Sequence, residues 1–163
     1  MIILGIDPGY GTIGYGVIEK LNGKIRAIDY GVITTPKDKP ISERLEMIYD
    51  AMNHVIDKFK PDEIALEELF FNTNITTGIK VAQARGVLVL SAIKSCGKLF
   101  EYTPLQVKMA LTGEGRAEKR QVQYMVKMLL KLSAVPKPDD AADALAVAIC
   151  HAHTVSFNKR TLV

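Results

Sequence analysis

Three β-branched-rich runs, Ile2 to Asp7, Ile13 to Glu19 and Ile25 to Thr35, open the chain, separated by Asp7-Pro8-Gly9-Tyr10-Gly11 and by Asn22-Gly23. Asn-Gly between such runs is a hairpin turn pair, so three sequential antiparallel strands are expected. Ile41, Leu45, Ile48, Met52, Val55 and Phe59 then recur at helical spacing, with Ser42 a candidate cap and Pro61 a stop. Glu63 to Glu67 reads as a short buried strand and Phe70 to Asn74 as a loop. Ile75 to Ser95 is apolar on most sides, interrupted by Lys80, Gln83 and Arg85, which predicts a largely buried helix or one at an interface. A strand over Lys98 to Thr103, a short helix from Pro104 to Leu111 and a loop at Thr112 to Gly115 follow. Val122, Met125, Met128, Leu129 and Leu132 mark an amphipathic helix, and the last helix runs from Asp139 to about His153.

This order predicts an α/β domain with one mixed, five-stranded sheet and helices on both faces. A three-stranded meander followed by alternating strands and helices is the order of the ribonuclease H-like fold. With 163 residues, 48% of them hydrophobic, the chain has the size of one globular domain, expected over 1–156 with a flexible tail at 157–163. The longest apolar region, Gly86 to Ile93, is far shorter than the roughly 20 residues of a membrane-spanning helix. The start lacks the charged lead and cleavage site of a signal peptide. Cys96 and Cys150 lie far apart among apolar or small residues and read as reduced core thiols, which favours a cytoplasmic protein.

Isolated carboxylates stand at the edges of these apolar runs. Asp7 closes the first strand, Glu67 and Glu68 end the fourth, and Asp139, Asp140 and Asp143 open the Ala-rich last helix. A carboxylate at such an edge loses part of its hydration and needs a proton, a cation or hydrogen-bond donors. Each has an ordinary structural explanation too. Asp before Pro-Gly is a common turn former, and Asp at a helix start caps free N–H groups. Glu67 and Glu68 point to opposite faces of a strand, so at most one of them faces a site shared with Asp7. Asp140 and Asp143, three apart, share a helix face, a spacing that suits adjacent ions. Converging oxygen ligands fit Mg²⁺, and an ion pair about 4 Å apart can activate a water and stabilise the leaving oxygen of a phosphodiester.

The set in its order carries more than its members. Ile3-Leu4-Gly5-Ile6-Asp7-Pro8-Gly9, Gly14-Tyr15-Gly16-Val17, Ala65-Leu66-Glu67, Gln83-Ala84-Arg85-Gly86-Val87 and Asp140-Ala141-Ala142-Asp143-Ala144-Leu145-Ala146 closely resemble the RuvC family of bacterial Holliday-junction resolvases, over essentially the whole chain. The resemblance implies the ribonuclease H-like fold and a homodimer that makes paired symmetric nicks in four-way junction DNA during recombination and repair. It also implies Mg²⁺, two ions per site with Mn²⁺ able to substitute, and cooperation with the RuvA-RuvB branch-migration complex. Carried onto matching positions, the catalytic and metal-binding acids are Asp7, Glu67, Asp140 and Asp143. Glu67 is selected over Glu68 because the family glutamate directly follows the Ala-aliphatic pair. Asp139 falls outside the pattern and is assigned to capping or outer-shell work.

The net charge of +3 permits a nucleic-acid partner without arguing for one. Locally the signal is stronger: from Lys98 to Lys131 seven basic side chains face three acidic ones, a net +4. Lys127 and Lys131 read as solvated surface. Lys108 and Lys119 match family positions associated with DNA binding, where ammonium groups hold phosphates. Phe70 matches a family aromatic that stacks on an unpaired junction base, a contact of roughly 1 to 3 kcal/mol; Phe71 reads as core. Thr73 and Asn74 do not reproduce the basic character of this loop in some relatives. Arg85 reads as structural, as a contact across the dimer or as a support for the loop. His151 and His153 are too far apart around a helix to share a metal.

The alternatives are a RuvC-like nuclease acting on structured RNA, an ATP-binding domain of the actin and sugar-kinase type, and a branched-DNA binding module without catalysis. The chain has length for only one of the two domains an actin-like site needs. The Gln83 to Gly86 and Ala117 to Lys119 segments favour the resolvase, whose interface is expected on the apolar helix between Ile79 and Leu90.

Overall fold

The computed structural model describes residues 1–69 and 74–155, so Phe70, Phe71 and the expected tail at 157–163 lie outside the described residues. The elements are β1 (Ile2–Asp7), β2 (Thr12–Leu21), β3 (Lys24–Thr34), α1 (Ile41–Phe59), β4 (Glu63–Glu67), α2 (Ile75–Ser95), β5 (Leu99–Tyr102), α3 (Pro104–Thr112), α4 (Lys119–Leu129) and α5 (Asp139–Thr154). The strands form one five-stranded sheet in the order β3-β2-β1-β4-β5. β1 pairs antiparallel with β2 and β2 with β3, whereas β1–β4 and β4–β5 are parallel. This is the mixed sheet that the hydrophobic pattern predicts. Asn22 and Gly23 take positive φ values of 51° and 77°, the conformation that a two-residue hairpin matched to strand twist requires.

One apolar cluster joins α1 and α2 to a sheet face through Leu4, Ile6, Ile48, Met52, Ile64 and Leu88. The other joins α3, α4 and α5 to the opposite face through Ile3, Ala65, Val107, Val126 and Leu145. Thr103 begins α3 with a capping box completed by Gln106, and Pro104 occupies the first turn, where its missing N–H costs nothing.

Three expectations need correction. Ser42 does not cap α1; Pro40 holds the N-cap position, and no side chain bonds the free amides there. α2 is not largely buried: Ala84, Leu88, Ser91 and Ala92 form a narrow inward stripe, while Ile75, Ile79, Leu90 and Ile93 are exposed. Apolar residues around most of a helix cannot all reach one sheet face. Cys96 is half-exposed at the end of α2, where its Sγ donates to the Asp62 carbonyl at 3.1 Å, and only Cys150 is a core thiol. Burial pushes the Cys150 thiol up to about 12.

His151 is fully buried. Its Nε2 lies 2.7 Å from a Glu63 carboxylate oxygen, and its Nδ1 lies 2.7 Å from the Tyr102 hydroxyl. A carboxylate only accepts, so the proton sits on Nε2 and Tyr102 donates to Nδ1. Burial holds the imidazole below its ordinary pKa, which keeps it neutral. The contact ties α5 to β4 and β5. Among the described residues no helix is long and apolar enough to cross a membrane.

Candidate active site

Two parallel strands place the first two acids. Ile6 of β1 is in register with Leu66 of β4, so Asp7 and Glu67 end adjacent strands at the same sheet edge. α5 delivers the other two, because it packs directly against β1 and β2. Gly14, in register with Asp7, leaves room for the α5 backbone; a Cβ there would lie 2.5 Å from the Asp140 carbonyl carbon. A Cβ at Gly16 would meet Leu145 N at 2.8 Å, and one at Gly5 would meet Ala148 N at 2.7 Å. Small residues in the strands therefore answer the buried alanines of α5, and the first turns of the helix reach the strand ends.

The four acids act on one another electrically. Burial, followed by the negative charges of Glu67, Asp143 and Asp140, raises the Asp7 pKa to about 8, with a hydrogen bond between the Asp7 and Asp140 side chains adding to it. Burial raises Glu67, and the Asp143 charge raises it further; the hydrogen bond with Asp7 and the charges of Lys119 and Lys108 pull it back. Burial also raises Asp143, opposed by Lys119, whose Nζ lies 2.9 Å from Asp143 Oδ2. Such a cluster binds either protons or cations. Its donors are all oxygen, which suits a hard divalent ion such as Mg²⁺. Among the described residues no three acidic, His or Cys groups close around a single point. An open edge agrees with the reluctance of Mg²⁺ to shed its waters, since a few carboxylates suffice.

A cleft of about 250 Å³ opens beside these acids, bounded by Glu67, Asp143, Lys108 and Lys119 with apolar walls from Pro104 and Val122. Lys108 belongs to α3 and Lys119 begins α4. Both sequence-predicted cations thus stand with the acids, whereas Phe70 lies outside the described residues.

The neighbouring acids separate as the strand and helix periods require. Glu68 is exposed and its backbone N–H bonds the Tyr102 carbonyl at 2.8 Å. Asp139 is exposed and caps nothing through its side chain; it sits 3.1 Å from Lys137 Nζ and 3.9 Å from Lys119 Nζ. Arg85 is ion-paired with Glu101 of β5. His153 accepts no shared role with His151 and contacts the Ala110 carbonyl instead. Two cations not singled out from the sequence as site residues, Arg44 and Lys80, flank Tyr10 just beyond Asp7. For Arg44 a signal existed: a charged residue three after Ile41 and four before Ile48 falls on the apolar face of α1.

A family model described as crossover junction endodeoxyribonuclease RuvC matches residues 3–151. The crossover junction endodeoxyribonuclease RuvC of Alkaliphilus oremlandii is 56% identical over 159 residues, 98% of this chain and 97% of that protein. That of Clostridioides difficile is 55% identical over 159 residues, 98% of this chain and 94% of the relative. Among solved structures, T. thermophilus RuvC in complex with a Holliday junction substrate superposes with a TM-score of 0.94 at 35% identity, covering 100% of this chain and 99% of that one. With its strand order, its edge of carboxylates and this match over nearly its full length, the chain belongs to the RuvC family of crossover junction endodeoxyribonucleases.

Proposed function

We propose that this chain is a Mg²⁺-dependent endodeoxyribonuclease that resolves four-way DNA junctions by paired symmetric nicks, with the nuclease unit spanning 1–156. The observation that carries the reading is the gathering of Asp7, Glu67, Asp140 and Asp143 at one sheet edge beside Lys108 and Lys119, in a chain of the RuvC family. The T. thermophilus relative bound to a Holliday junction substrate supports the choice of DNA.

In this reading the four carboxylates hold two Mg²⁺ ions, with Mn²⁺ an acceptable substitute. Bound there, such ions would supply activation of an attacking water and neutralisation of charge on the leaving oxygen. The chain's own residues supply the rest. Lys108 and Lys119 hold the phosphates that border the scissile one, displacing counterions from the strand. The apolar cleft walls limit water around them, which strengthens each charge–charge contact. Phe70 stacks on an unpaired base at the crossover. The raised Asp7 pKa means that a cation must compete with a proton for this carboxylate at neutral pH.

Paired nicks need two copies of a site that each chain holds once. The exposed Ile79, Leu90 and Ile93 of α2 support a homodimer through that helix. RuvA-RuvB is the partner proposed for the dimer on DNA.

Purified chain on synthetic four-way junctions, linear duplex, RNA–DNA hybrid and structured RNA, with Mg²⁺ or EDTA, tests the reading. Symmetric, Mg²⁺-dependent nicks confined to the junction are expected. Preferential cutting of hybrid or structured RNA would replace the resolvase with a ribonuclease.

A further inference from the structure

Cations stand on both sides of the carboxylate edge, and only one side is used in the reading above. Lys108 and Lys119 lie on the face covered by α3, α4 and α5. On the α1–α2 face, the turn after Asp7 carries Tyr10. Arg44 Cζ stands 4.6 Å from the Tyr10 ring centroid and Lys80 Nζ stands 5.7 Å from it. Arg44 is only 6% exposed. Its Nε donates to Thr35 Oγ1 at 2.9 Å and its Nη2 to the Tyr10 carbonyl at 3.2 Å, while the Thr35 hydroxyl donates to that same carbonyl at 2.5 Å. The turn is thereby fixed from α1 and from the end of β3.

These contacts satisfy hydrogen bonds but not charge. Among the described residues neither Arg44 nor Lys80 is ion-paired with a carboxylate, although Lys39, Lys98, Lys119 and Lys137 all are. A buried guanidinium without an acid is costly, and it adds positive potential to the surface above it. Lys80 is half-buried and sits one turn before the buried Ala84, about 100° around α2 from the exposed Ile79 and about 140° from Ile75. Tyr10 follows Asp7 by three residues, in the turn that leaves β1.

We propose that Lys80, backed by Arg44 and Tyr10, is a second phosphate seat, which grips the backbone of the bound strand on the flank of the carboxylate edge opposite Lys108 and Lys119. The seat rests on the reading of the chain as a junction nuclease and adds a path for the strand: across the sheet end, held on both faces. Arg44 is a positioning residue that fixes Tyr10 and contributes charge from behind. Lys80 makes the contact.

Binding of a synthetic four-way junction, measured in EDTA over a range of salt, tests this with Lys80→Met, Lys80→Arg and Lys94→Met. Lys80→Met keeps the aliphatic stem and helix propensity, and its melting curve verifies the fold. It should weaken binding about threefold to tenfold at low salt and make the slope of log K against log salt shallower by about 1, the loss of one phosphate contact. Lys80→Arg should restore both, and Lys94→Met, at the far end of the same helix, should change neither. An unchanged slope in Lys80→Met, a loss that Lys80→Arg does not restore, or an equal loss in Lys94→Met overturns the seat. A wild-type chain that binds no junction fails the nuclease reading itself and the seat with it, a result separable from the others because it appears before any substitution.

Discussion

Gly14→Ala is the substitution that most directly probes how the fold builds the site. The added methyl would lie 2.5 Å from the Asp140 carbonyl carbon, whereas ordinary contact begins at 3.4 Å. The obstacle is backbone rather than a side-chain tip, so no rotamer change relieves it. Either the first turn of α5 lifts by about 1 Å or β2 sinks toward α1, and both movements separate Asp140 from Asp7. Overpacking of this kind costs about 1 to 3 kcal/mol, which a domain of this size can survive. A displacement of about 1 Å at reacting groups costs on the order of 100-fold in rate. Urea denaturation should therefore report a folded but weakened protein, and single-turnover nicking of a junction in saturating Mg²⁺ should fall about 100-fold with junction affinity within about threefold of wild type. A Gly14→Ala protein of wild-type stability that nicks at the wild-type rate would refute the close packing of α5 on β2 as the device that sets the acids.

Metal-free stability should depend on pH through Asp7. Its folded-state pKa of about 8 lies above the ordinary 3.8, so the folded chain holds this proton more tightly than the unfolded chain and loses stability as pH rises from about 4 to about 8. In EDTA the wild type should lose stability relative to Asp7→Asn across that window, by at most about 5 to 6 kcal/mol, and Mg²⁺ should restore much of it; parallel stability curves for the two proteins would contradict the crowding of buried carboxylates there. Glu67→Gln should abolish nicking, while Glu68→Ala, on the opposite strand face, should nick within about threefold of wild type; equal losses from both would break the assignment. Tyr102→Phe should cost about 1 to 2 kcal/mol in urea denaturation by leaving the buried His151 Nδ1 without its donor, and a neutral result would show that the bond is unimportant.

What the sequence made legible were features with a short period or a local turn. α1 occupies Ile41–Phe59 as its apolar spacing predicts, and the Asn22-Gly23 hairpin joins β2 to β3. The four acids were legible as a set only through the combined motifs, since each alone reads equally well as a turn former or a cap. Features set by long-range pairing left little trace. Nothing in the spacing of Glu63, Tyr102 and His151 indicates that three elements bring them together, and the contact between Lys119 and Asp143 spans two helices. The apolar pattern of α2 fits a buried helix and an interface helix equally, because hydrophobicity alone does not say whether a helix faces its own sheet or another chain; its exposed Ile75, Ile79, Leu90 and Ile93 remove the first of these. Ser42 failed as a cap because Pro40, two residues earlier, already sets the extended entry to the helix.

In the proposed function the acids at the strand ends cut the DNA and leave its binding to the neighbouring lysines. Asp7→Asn removes a metal-binding carboxylate at nearly constant shape, so nicking and binding of the same synthetic four-way junction by this variant separate the two roles. Mg²⁺-dependent nicking should fall by at least about 1,000-fold with affinity within about threefold of wild type. Paired nicks at the wild-type rate would contradict it.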